Sequence, residues 1–202
     1  MPTQPSFVAR LRHLWPALLL LMIGLGTLAA AVFVTVGSGE RRAIAGVGGP
    51  FALRASQGGV LTDKDMLGAP YLIFFGFTHC PDVCPTALAQ ISEVLAAAGP
   101  EATSLKVLFV SVDPARDTPE ILKSYLGSFD PRIIGLSGGE EETASVIKAF
   151  KAYAKKVPLK DGDYTMDHST LVYLMDKRGR FVGSLNLDRP PAEAAKEWLA
   201  LR

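Results

Sequence analysis

Seven consecutive apolar residues, Tyr71 to Phe77 (YLIFFGF), run directly into the stretch that holds both cysteines of the chain, Cys80 and Cys84. A short run with three phenylalanines and no polar alternation is the pattern of a strand covered on both faces. Such a strand requires a sheet enclosed by helices. The following residues keep to that requirement. ALAQISEVLAAAGP places Leu88, Ile91, Leu95 and Ala98 at helical spacing and ends at Gly99-Pro100. KVLFVSV (106–112) is a second buried strand, TPEILKSYLGSF (118–129) a helix with proline near its start, IIGL (133–136) a short strand, and EEETASVIKAFKAYAKK (140–156) a helix. Strands alternating with helices predict an α/β domain with a mixed, mainly parallel central sheet and helices on both faces. At the end, TLVYLMD and GRFVGSL are joined by a short turn at Lys177-Arg178-Gly179 and read as an antiparallel hairpin, and PPAEAAKEWLALR reads as a closing helix. FALRAS and GGVLT read as a first short hairpin.

The apolar excess of the 202-residue chain is concentrated near its start. Residues 14–36 carry no charge, and at about 1.5 Å per residue such a helix reaches about 35 Å, enough to cross a hydrocarbon layer of about 30 Å. A cleaved signal peptide is the alternative, given Arg10, Arg12 and the small residues Ala29 to Ala31. The span is longer than the apolar region of roughly 7–15 residues that signal peptides use, which favours an uncleaved transmembrane helix. The expected organisation is therefore a tail over 1–13, an anchor over 14–36, a glycine-rich tether over 37–50 and one domain over 51–202. Flanking charge hardly distinguishes the two orientations. A tail this short ahead of a large domain favours a single-pass anchor with the domain outside the cytoplasm. Without the first 39 residues the balance is 19 basic against 20 acidic residues, which gives no reason to expect nucleic acid as a partner.

FGFTHCPDVCPTAL poses the chemical question. Pro81 and Pro85 each disfavour the helical conformation in the residue before them, which predicts extended or turn-like Cys80 and Cys84, with Pro85 as the first residue of the next helix. Thiols over a helix start are favoured as thiolates. A structural disulfide closing so small a loop would contribute little. A redox pair and a metal site both remain. The first matches the thioredoxin arrangement of thiols at a helix start after a central strand, with three intervening residues in place of two. The second would suit a soft ion such as Cu(I), because structural zinc needs four donors. An imidazole is the obvious third donor. His13 adjoins the apolar span, and His79, next to Cys80, is expected to point away from it. His168 precedes the strand beginning near residue 171. If that strand runs antiparallel to 71–77, His168 stands at the sheet edge where the cysteines emerge, which is where open α/β sheets bind ligands. Asp113 and Asp117, in SVDPARDTPE, leave strand 106–112 at this edge. They read as turn and helix-cap residues (Asp117 or Thr118 as the cap), or else as an acidic rim or weak extra ligand.

FGFTHCPDVCPTAL, VSVDPARDTPEILKSYL, IIGLSGGEEETASVIKAFKAYAKKV and DYTMDHSTLVYLMDKRGRF, in this order over roughly residues 50–190, resemble the SCO/SenC family of membrane-anchored, thioredoxin-like proteins. The resemblance implies a thioredoxin-like fold and a copper site, Cu(I) or Cu(II), formed by Cys80, Cys84 and His168. It implies a carrier, not an enzyme, that delivers copper to the CuA centre of cytochrome c oxidase subunit II. Reduction of that centre's cysteines by thiol–disulfide exchange is the alternative activity, with an upstream copper donor or thiol reductant as further partner. The domain would face the bacterial periplasm or the mitochondrial intermembrane space. A redox enzyme of this fold usually has a cis-proline just before the strand that MDHST precedes, and MDHST has no proline at all.

Overall fold

The structure, a computed structural model, describes residues 15–16, 18–30, 43–160 and 162–201. The chain divides into a unit up to Glu40 and a unit from Arg41 onward. In the first, residues 18–30 are helical. Among the described residues no helix is long and apolar enough to cross a membrane. The expected span 14–36 lies partly outside them.

The second unit follows the order β1 (Ala52–Ala55), β2 (Val60–Thr62), β3 (Tyr71–Gly76), α1 (Val83–Ala98), β4 (Lys106–Ser111), α2 (Pro119–Leu126), β5 (Ile133–Ser137), α3 (Glu140–Ala149), β6 (Ala154–Pro158), β7 (Tyr164–His168), β8 (Val172–Met175), β9 (Phe181–Ser184) and α4 (Pro191–Leu199). Seven strands form one sheet in the order β2-β1-β5-β4-β3-β8-β9, and β6 and β7 form a separate two-stranded sheet. The sheet is mixed, as expected, but its parallel part is the centre and not the majority. β3–β4 and β4–β5 are parallel, whereas β1–β2, β1–β5, β3–β8 and β8–β9 are antiparallel. The reason is connectivity, since only α1 and α2 act as crossover helices between neighbouring strands.

All six residues of β3 are buried, and successive side chains go to opposite faces. On one face Phe74 meets Phe109, which meets Tyr125 of α2, while α1 packs on α4. On the other, Phe75 contacts Phe150 at the end of α3 and Tyr173 of β8. The start of the domain is fastened across this body: the Ile44 and Gly48 amides donate to the carbonyls of Phe181 and Ala149.

The helix expected over 140–156 ends seven residues early. Phe150 turns into the core, 1% exposed, and Lys151 adopts a left-handed φ of 51°. The next residues form β6, paired with β7 from Ala154↔His168 to Pro158↔Tyr164. The second departure from expectation is at α1. The helix starts at Val83 with Asp82 as its cap, so Cys84 is helical and Pro85 is the third helical residue, not the first. Proline is tolerated there because the first four helical amides have no partner within the helix. The preference of a pre-proline residue for extended backbone is overridden by the burial of Cys84, which is 0% exposed.

Candidate metal centre

β3 and β8 are antiparallel, with Phe74 opposite Val172, so the exit of β3 and the entry to β8 share one sheet edge. The cysteine loop leaves β3 there, and β7 delivers His168 to the same edge. Cys84 Sγ lies 3.6 Å from His168 Nε2. The sulfurs of Cys80 and Cys84 and a ring nitrogen of His168 all lie within 4.8 Å of one another. With metal–donor bonds of about 2.0–2.3 Å, three donors around one ion stand about 4 Å apart, so small side-chain adjustments would close them on an ion.

Local chemistry fixes each donor. Gly76 shares the face of Phe74, and Cys84 Sγ packs directly on it: a Cβ at residue 76 would stand 2.8 Å from that sulfur. Burial pushes the Cys84 thiol well above the usual range, and the Phe77 amide directed at it offsets this only in part. In the metal-free protein this thiol is therefore protonated at neutral pH, and its S–H faces His168 Nε2. Cys80 is half-buried, and its Sγ accepts the Cys84 amide at 3.4 Å, so it occupies the capping position that the Asp82 side chain leaves unused. His168 Nδ1 is 3.0 Å from the Ser169 carbonyl. A carbonyl only accepts, so Nδ1 carries the proton and Nε2 keeps its lone pair toward the thiols. The imidazole also stands edge-on to Phe77, 5.6 Å between centroids.

His79 is exposed, with Nδ1 3.1 Å from Thr78 Oγ1, and takes no part in the cluster. His13 lies outside the described residues. Thr118 caps α2, accepting the Ile121 amide. The acidic pair departs from both readings offered for it as a rim or ligand. Asp113 and Asp117 are 3% and 0% exposed. Asp117 accepts from the Thr78 amide at 3.1 Å, the Thr78 hydroxyl at 2.6 Å and the Ser111 hydroxyl at 2.6 Å. It holds the root of the cysteine loop. Asp113 pairs with Arg116 and accepts the Tyr164 hydroxyl at 2.9 Å. Arg116 and Tyr164 were not singled out from the sequence, because their meeting depends on β6 and β7. The signal that could have revealed this hairpin is Asp161-Gly162, a favoured turn dipeptide between KKV and YTM.

Two thiols and one imidazole, half-open to solvent, suit a soft ion of low coordination number better than an ion needing four or more oxygen donors. The family model described as SCO1/SenC matches residues 39–201. Bradyrhizobium japonicum ScoI, solved with copper bound, is 57% identical, with a TM-score of 0.75 over 77% of this chain and 99% of that one. An SCO2-like protein of Rickettsia felis is 38% identical over 149 residues, 73% of each chain. The human mitochondrial SCO1 homolog is 40% identical over 152 residues, 74% of this chain and 50% of its own length. The chain thus spans about half of that mitochondrial relative. The blocks around Cys80, Asp113 and His168, the thioredoxin-like sheet and these matches together make the chain a member of the SCO1/SenC family.

Proposed function

We propose that the chain is a membrane-anchored copper metallochaperone that binds one copper ion through Cys80, Cys84 and His168 and delivers it to the CuA centre of cytochrome c oxidase subunit II. The observation that carries this reading is the convergence of two sulfurs and an Nε2 lone pair within 4.8 Å at the ligand-binding edge of the sheet. Copper is the cargo. Loading it displaces the Cys84 proton, and the Ser169 carbonyl keeps the imidazole oriented throughout. Because Cys80 and His168 are only half-buried, an incoming thiolate can approach the ion, and transfer proceeds by exchanging one sulfur ligand for another. Residues 1–13 are read as a tail, 14–36 as the anchor and 37–50 as the tether, with the domain outside the cytoplasm. An anchor of this kind raises the effective concentration of the site near a membrane-embedded target.

The test is copper titration of the reduced chain. About one copper per chain is expected, bound by two sulfurs and one nitrogen in X-ray absorption, with a thiolate-to-Cu(II) charge-transfer band in the oxidised form. His168→Ala is expected to weaken binding by more than about tenfold, since loss of even an outer-sphere partner costs about 10–100-fold. An unchanged affinity and spectrum would sink the site assignment.

The position of the thiols at a helix start after the central strand also supports a second activity. In it the Cys80 and Cys84 thiols reduce a disulfide between the CuA cysteines and themselves become the disulfide. In an oxidase-assembly assay, a redox role tolerates His168→Ala but not Cys80→Ser. Copper carriage tolerates neither.

A further inference from the structure

The donors of the centre stand on two supports. Both cysteines are carried by β3 and α1 within the seven-stranded body, whereas His168 ends β7, whose only sheet partner among the described residues is β6. Near His168 the hairpin is closed by the Tyr153–Ser169 pair, in which Tyr153 N–H also reaches Ser169 Oγ at 2.8 Å, and it joins the body through chain continuity and through Ala154 and Met166, which pack against the core. Its far end would be free to tilt about that junction if nothing held it.

Arg116 holds it. Its Nη1 donates to the Tyr164 carbonyl at 3.0 Å and reaches Asp163 Oδ1 at 3.4 Å. Its guanidinium lies 3.7 Å from the Tyr164 ring centroid, where Lys156 of β6 also approaches to 3.5 Å. Its Nε donates to Asp113, whose other oxygen accepts the Tyr164 hydroxyl. The same guanidinium stands 6.0 Å from the ring centre of Phe77, the residue against which the imidazole rests. This arrangement is kept although Arg116 Nη2 is buried without a hydrogen-bond partner among the described residues, which runs against the usual pairing of interior polar groups. One residue further along, Asp117 ties down Thr78 and with it the cysteine loop. A single loop, 112–118, therefore grips the thiol-bearing segment with one arm and the imidazole-bearing hairpin with the other.

We propose that Arg116 is a positioning residue for copper: by clamping Tyr164 it fixes the tilt of β7 and so holds His168 Nε2 within bonding reach of an ion bound by the two sulfurs. The inference rests on reading His168 as a copper ligand. Metal–ligand distances tolerate about 0.2 Å, so a hairpin released at its far end holds the nitrogen too loosely even though every ligand is still present. The planar fork of arginine bridges a carboxylate, a carbonyl and a ring at once, which lysine cannot do.

The test is a mutant cycle on the full chain in detergent, reduced, with copper affinity measured by chelator competition and the Cu(II)–thiolate band recorded alongside. Arg116→Ala is expected to weaken copper by about 10–100-fold and to shift the band toward that of His168→Ala. In the His168→Ala background the same change should add less than about twofold, because the clamp acts only through the imidazole. In metal-free Arg116→Ala, amides of β6 and β7 should exchange with deuterium faster while those of β3 and β4 do not. An equal loss in both backgrounds, or no loss in either, overturns the inference. If His168→Ala alone leaves copper binding unchanged, the ligand reading fails first and this inference fails with it. Should Arg116→Ala not fold, Arg116→Lys is expected to give the same non-additive pattern at smaller size, and an additive loss overturns the inference equally.

Discussion

Replacing Gly76 by alanine tests how closely the sheet and the sulfur chemistry are joined. The added methyl would stand 2.5 and 2.9 Å from two carbons of Phe109 and 2.8 Å from Cys84 Sγ. Relaxed contacts lie at about 3.5–4.0 Å, so the intrusion is about 1 Å. Neither neighbour has open space to retreat into. Phe109 and Cys84 are 0% exposed, and the Phe109 ring is wedged between Phe74 and Tyr125. Overpacking of this kind costs about 1–3 kcal/mol. For a chain of this size each kcal/mol moves Tm by about 2–4 °C, so a fall of about 2–12 °C is expected. The sulfur must also move by more than the roughly 0.2 Å that a metal bond tolerates, and copper affinity should fall at least about tenfold. Gly135→Ala is the matched control. Its methyl meets Leu122 and Leu126 at 2.9 Å, away from the cysteines, so it should destabilise to a similar degree and leave copper binding intact. Thermal unfolding followed by circular dichroism and copper competition on both variants decide the matter. Equal copper affinity in the two would refute the coupling of Gly76 to the site, and an unchanged Tm for Gly76→Ala would refute the packing itself.

Asp117→Ala strands the Thr78 amide and two hydroxyls, for which the amide alone costs about 1–3 kcal/mol. Urea unfolding should show at least that loss, with Asp117→Asn in between, and copper affinity should fall as the cysteine loop loosens. The pH dependence follows from the raised Cys84 thiol. The unfolded thiol ionises near pH 8.5 while the folded one stays protonated, so the unfolded state loses its proton first as pH rises. Stability of the metal-free protein is then complete below about pH 8.5 and falls above it by up to about 1.4 kcal/mol per pH unit. Tm measured from pH 7 to 10 should show this slope in the reduced protein and a shallower one in Cys84→Ser. Copper loading displaces the same proton, so apparent affinity should rise with pH over that range.

Buried strands were the most legible part of the sequence, because YLIFFGF and KVLFVSV are apolar for reasons that no other structure would satisfy. The turn at Lys177-Arg178-Gly179 made the last two strands a hairpin, but the antiparallel placement of 172–175 beside β3 stood in the sequence only as a condition; the sheet supplies it, and with it His168 comes to the thiols. What the sequence concealed was decided by tertiary contact. Phe150 continues the helical pattern of α3, yet its burial against Phe51 and Phe75 turns the chain away and leaves AKKVP to pair as a strand. Cys84 precedes a proline and should avoid the helix, yet the space over Gly76 draws it in. Asp113 and Asp117 have the composition of a solvated rim. Their burial depends on Arg116, Tyr164 and Thr78, which are 3 to 51 residues away in sequence.

The bond from the Cys84 amide to the Cys80 sulfur makes one backbone proton a witness to the chemistry of the loop. A neutral thiol, a thiolate, a metal-bound sulfur and a disulfide sulfur accept that proton with different strength, and the side chain of the cap residue Asp82 does not compete for it. The nitrogen-15 and proton shifts of a single amide therefore distinguish these four states of the sulfur. Copper carriage and thiol exchange can be followed in one titration without attaching a probe to either cysteine.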